Sequence, residues 1–94
     1  MFDGKKYVTR GVLNEIPPPL QVLMWQLIEE LKIPKDALQI FQLVPVKGRQ
    51  KIVHTQESPF YRKEYLIAFD TAIDARVYVI DDEIYSTMLL SDEY

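Results

Sequence analysis

A chain of 94 residues with a net charge of −3 bounds the problem to one small domain over residues 1–94. Its 48% hydrophobic content is enough to bury a core, and the lack of cysteine excludes a disulfide framework and a thiolate metal site. Met1 runs straight into polar residues, and the longest apolar run is far too short for a membrane span. A cytoplasmic protein with no signal peptide and no membrane segment is therefore expected.

In chain order, Lys6 to Val12 is β-branched and aromatic and predicts a first strand, with Gly11 at its end or at a bulge. Arg10 in that strand is a candidate partner for a carboxylate. Ile16, Pro17 and Pro18 each precede a proline and are pushed out of the α region. Pro19 then suits the first position of a helix running to Lys32, before Pro34. Leu20, Leu23, Met24, Leu27, Ile28 and Leu31 form one broad apolar face. Val22 and Trp25 fall off its centre, near Glu29. Either another segment folds over them, or they form a docking surface for a partner or a second copy.

Leu38 to Val46 predicts a second strand, largely apolar on both faces, with Phe41 and Leu43 opposite in facing to Ile40 and Val44. Lys47-Gly48 is the best hairpin turn, and Gln50 to Gln56 returns as a third strand. An even-length loop places Ile52 and His54 on the side of Phe41 and Leu43. Glu64 to Phe69 and Ala75 to Ile80 predict two further strands around a turn at Asp70 to Asp74. Ser86 to Leu90 fits a strand or a capped short helix. The strand, closing a hairpin over Asp81-Asp82, is the preferred form, and this tail is the candidate cover for Val22 and Trp25. The class that results is α+β: two layers, one amphipathic helix packed on a mostly antiparallel sheet of four to six strands. The sheet's second face is half apolar, to be solvated or paired with another copy.

No catalytic or cofactor signature emerges, and no catalytic residue, cofactor or metal is assigned. Three glycines are too few and too scattered for a phosphate loop. His54, the sole histidine, reads first as structural. A small hydrolase or metal enzyme built on it would need Glu57, Asp81 or Asp82 nearby. Charge is segregated. Lys47, Arg49, Lys51, Arg62 and Lys63 face only Glu57 between residues 47 and 63, whereas the last 25 residues are strongly acidic. Phe60 and Tyr61 interleave with those cations, a combination suited to single-stranded nucleic acid. The acidity of the whole chain weighs against that use.

The segments Tyr7-Val8-Thr9-Arg10-Gly11, Glu15-Ile16-Pro17, Trp25, Glu30-Leu31, Leu38-Gln39-Ile40-Phe41, His54-Thr55-Gln56-Glu57, Lys63-Glu64-Tyr65-Leu66, Val79-Ile80-Asp81-Asp82 and Ser86-Thr87-Met88-Leu89-Leu90 occur in order along nearly the whole chain. With them the chain resembles a family of small uncharacterised proteins of Firmicutes and their mobile elements, a domain of unknown function numbered nine-sixty. The resemblance implies a bacterial, intracellular setting and carries no activity. A glycine commonly follows the paired aspartates in that family. Glu83 stands there in this chain, which leaves a tight turn without its glycine. The functional expectation is a non-enzymatic protein-interaction module using Val22, Trp25 and Glu29, with an unknown protein or a second copy as partner. Nucleic-acid binding through residues 47–63 is the alternative.

Overall fold

The computed structural model describes residues 1–94. In order it runs β1 (Lys5–Val8), α1 (Arg10–Glu15), α2 (Pro18–Glu29), β2 (Leu38–Val46), β3 (Arg49–Gln56), β4 (Tyr61–Ala68), β5 (Ala75–Asp81), β6 (Tyr85–Leu90) and a closing 3₁₀ turn, Ser91–Glu93. The strands form one six-stranded sheet in the order β1-β6-β5-β2-β3-β4. Every neighbouring pair is antiparallel except β1 and β6. The α+β class is as expected. The sheet reaches the upper end of its expected size, and a second, short helix accompanies the long one. No helix is long and apolar enough to cross a membrane.

The β2–β3 hairpin follows most directly from local chemistry. Lys47 and Gly48 both adopt positive φ, 48° and 77°, giving a two-residue turn whose twist matches the strands. This sets Phe41 opposite His54 and Leu43 opposite Ile52. All four are fully buried. Phe41, Leu43 and Ile52 join Leu20, Met24, Leu27 and Ile28 of α2 with Val77, Val79 and Met88 in one core. The helices therefore cover one face of the sheet only.

Helix α2 begins at Pro18 rather than Pro19, with Pro17 extended at the N-cap, and it ends at Glu29 rather than Lys32. The early end has a tertiary cause. The Gln56 amide holds the Pro34 carbonyl and the Asp36 N–H on the sheet, so the chain must leave the helix to reach them. Gln50 acts likewise on the crossing from β4 to β5. Its amide accepts from the Ile73 N–H (2.8 Å) and donates to the Ile73 carbonyl (3.1 Å).

Three expectations are corrected. Lys6–Val12 is not one strand: β1 stops at Val8, and Thr9 caps α1 by accepting from the Val12 N–H at 3.3 Å. β-propensity loses here to a helix start that the far end of the chain completes. The Glu93 carboxylate accepts from the Thr9 hydroxyl (2.6 Å), the Leu90 N–H (2.8 Å) and the Gly11 N–H (3.2 Å). These donors, Thr9 first, hold it below the ordinary carboxylate range. A Cβ on Gly11 would lie 2.7 Å from that carboxylate, so a larger residue there would require the Glu93 side chain to shift. Arg10 is exposed on α1 and takes part in none of the chain's ion pairs. Finally, Ser86–Leu90 is strand, but it lies within the sheet between β1 and β5 and does not cover Val22 and Trp25.

Glu83 adopts φ 72° in the β5–β6 turn, closed by the Asp82 N–H donating to the Tyr85 carbonyl at 2.8 Å. The turn forms without its glycine, at the conformational cost a side chain carries in the left-handed region. Glu83→Gly is expected to raise stability by about 1 kcal/mol, read as a higher midpoint in a thermal melt. An unchanged or lower midpoint would show that the turn is relaxed as it stands.

Candidate interaction surfaces

Strand alternation decides what each surface carries. Opposite the helices, the sheet presents Leu38, Ile40, Val44 and Val46 of β2 beside Val53 of β3, Leu66 of β4, Tyr78 and Ile80 of β5, and Tyr7 and Tyr85 of β1 and β6. No helix lies over them; the C-terminal segment reaches this face only at Tyr78, beside which Leu89 is buried, and Tyr7, Leu66 and Tyr85 are about half exposed. Tyr7 meets Tyr85 edge-on at 5.6 Å between ring centroids, and Tyr94 meets Tyr78 in the same way. The charged strand positions on this face are Lys5, Arg49, Lys51, Arg62 and Arg76 against Glu64 alone. Glu64 bonds both Lys51 (2.9 Å) and Arg62, and these partners, Lys51 first, lower its pKa.

The helix patch is smaller than the sequence suggests. Val22 is 55% exposed and Glu29 is exposed, but Trp25 is only partly so. Its cover comes from the N-terminal segment. The Lys6 ammonium stands over the indole at 5.8 Å from the ring centroid. Phe2, Lys6, Trp25, Glu29 and Lys35 border a hollow of about 190 Å³, which Val22 does not reach.

The basic and aromatic stretch is divided. Lys47 and Arg49 sit at the β2–β3 turn, while Phe60 and Tyr61 sit at the other end of the β3–β4 ladder, where Gln56 pairs with Tyr61. Seven ladder steps at roughly 3.3 Å separate these ends by about 23 Å. Arg49, Lys51 and Arg62 share the open face. Tyr61 and Lys63 point to the helix side, where the Tyr61 ring meets His54 edge-on and Lys63 lies over Tyr65. Phe60 is 74% exposed.

His54 is enclosed. Its ring stacks on Phe41 at 4.4 Å, and its Nε2 lies 2.6 Å from the Gln39 side-chain oxygen. The Gln39 amide nitrogen donates to Asp36 O and to Gln56 Oε1. Gln56 in turn donates to the Pro34 and Pro59 carbonyls and accepts from the Asp36 N–H. Flipping Gln39 would set its oxygen against the Asp36 carbonyl and the Gln56 oxygen, and flipping Gln56 would set its amide N–H groups against the Asp36 N–H, so Gln39 offers His54 an acceptor. The proton therefore resides on Nε2, and Nδ1 is bare and unpartnered. Burial pushes the imidazole pKa down to about 4. No carboxylate meets either ring nitrogen, so the partner required by a hydrolase reading is missing. No three His, Asp or Glu side chains gather in a metal-holding group.

The buried glutamines Gln39, Gln50 and Gln56 were not foreseen as core residues. The signal was present, since each lies in phase with Phe41, Leu43, Ile52 or His54 on its strand.

The molecule is thus a two-layer α+β protein with one sheet face covered by helices and the other without a helix layer. The family model described as Staphylococcal protein of unknown function (DUF960) matches residues 5–93, and the chain belongs to that family. The crystal structure of a protein of unknown function from Enterococcus faecalis is similar to it, with a TM-score of 0.87 and 26% sequence identity over 98% of this chain and 92% of that one. Both sources are Firmicutes, in line with the resemblance. Among curated proteins none matches.

Proposed function

We propose that the chain is a non-enzymatic protein-interaction module that docks a partner on the open face of its sheet. One observation carries the reading: Ile40, Val44, Val53, Leu66, Tyr78 and Ile80 form neighbouring apolar positions with no covering layer beyond the Tyr94 ring at Tyr78. Six strands roughly 4.8 Å apart, from about 13 to about 30 Å long, offer on the order of 600 Å², close to the roughly 800 Å² per partner of a stable complex. The rim chooses the partner. Cations dominate this face although the chain is acidic overall, so a protein with an apolar centre and an acidic border fits. A second copy would bring the same cations against them. The Val22, Trp25 and Glu29 patch on α2 is a smaller surface on the opposite side.

Photo-crosslinking residues at Ile40, Leu66 and Tyr78 are expected to trap one partner protein in the native cell, and one at Val22 to trap none. Tyr78→Glu should abolish the adduct at the other positions. Adducts at Val22 alone, or none anywhere, would sink the reading. A second reading, single-stranded nucleic acid, draws on Arg49, Lys51 and Arg62 sharing this face with Tyr7, Tyr78 and Tyr85. It requires a labelled oligothymidylate to bind at low salt and weaken steeply as salt rises.

A further inference from the structure

At the β4 end of the sheet a free strand edge and an apolar groove lie side by side. β4 pairs with β3 alone, so alternate residues of its eight aim N–H and C=O away from the sheet. No turn or loop hydrogen bond of the backbone meets them. Proteins commonly guard such an edge with charge, proline or a covering segment. Here Arg62, Lys63 and Glu64 guard the first half, and Tyr65–Ala68 has neither charge nor proline. The helix-side positions Tyr61, Lys63 and Tyr65 form one wall of a groove of about 480 Å³. Leu27, Leu31 and Ile33, at and beyond the end of α2, form the other.

We propose that this edge accepts an extended, acidic-flanked peptide segment of a partner protein as a seventh strand, with its alternate apolar side chains seated in the groove. The two features demand the same occupant. The ladder requires an extended backbone, and the groove lies on one side of that backbone, so it receives every second side chain. Lys32 and Lys63 outweigh Glu30 at the rim, which favours an acidic flank. A second copy pairing through β4 would bring a second Lys63 to the same rim, so a foreign segment fits better. The site is separate from the open face and stands or falls without it.

A displayed library of random linear peptides, panned on the full chain, is the probe. Recovered peptides should alternate apolar residues beside an acidic one, and a bound peptide should slow amide exchange at alternate residues of β4. Lys63→Glu, an exposed change, should weaken them by about tenfold. Ile33→Glu should abolish binding, and Tyr78→Glu should leave it unchanged. The proposal is overturned if nothing is enriched above the bare support, or if binding ignores Lys63→Glu. It is also overturned if Tyr78→Glu removes binding, which would move the peptides to the open face, or if sizing shows a dimer joined through β4.

Discussion

Taking the pH from 6.5 down to 4 is expected to remove about 3 kcal/mol of folding stability through His54 alone. The unfolded imidazole titrates near 6.5, and burial holds the folded one at about 4. Between these values the unfolded chain binds a proton that the folded chain refuses. Stability is therefore full above pH 6.5, falls steadily as the pH drops, and levels off below 4. The refusal has a local cause. A second ring proton would need an acceptor at Nδ1, but that atom is buried without one, on a ring stacked against Phe41 and met at a steep angle by Tyr61. Asp3, Glu64 and Glu93 have lowered pKa values, so their own losses begin below most of this window. Urea melts at pH 7, 5.5 and 4.5 would measure the slope, and His54→Gln should flatten it. His54 is the sole histidine, so its proton NMR titration needs no assignment. An imidazole titrating near 6.5 in the folded protein would refute the account.

Gln56→Leu is expected to destabilise the fold by roughly 3 kcal/mol, far more than its single lost amide suggests. The Gln56 side chain makes four hydrogen bonds, to Pro34, Asp36, Gln39 and Pro59. Water can replace it at the two proline carbonyls, since both prolines are exposed. It cannot reach Gln39, which is wholly buried and would keep an unpaired N–H. The segment that leaves α2 loses its anchor in the same step. Chemical denaturation would give the magnitude, and faster exchange of the Asp36 amide would localise it. A Gln39→Leu, Gln56→Leu cycle should show strong coupling, because each side chain satisfies the other. A loss under about 1 kcal/mol would mean that the loop holds itself in place.

The strands β2 and β3 were legible because their information is local. Lys47-Gly48 fixes a two-residue turn, the turn fixes the register, and the register fixes which side chains face the helix. The long helix was legible for the same reason, its apolar spacing and flanking prolines all lying within one segment. The β5–β6 hairpin was readable with less certainty, since Ser86 could also have capped a helix.

The misreadings share a different cause. Thr9 to Val12 has the composition of a strand, and the carboxylate of Glu93, brought across by the fold, completes the helix start. The end of α2 depends on Gln56, which lies on another strand. The candidate sites divided in the same way. Val22, Trp25 and Glu29 are neighbours on a helical wheel, yet the cover over Trp25 comes from Lys6, unpredictable without the parallel pairing of β1 with β6. The cations of residues 47–63 are close in sequence, but strand alternation sends them to two faces and two ends.

By itself, then, the sequence determined the periodic elements, the hairpin and the absence of a catalytic signature, because each rests on spacing within a few residues. Tertiary structure alone decided the strand order, the helix ends, the His54–Gln39–Gln56 network and which sheet face lacks a helix layer. Each of these depends on hydrogen bonds or contacts between residues far apart in the chain.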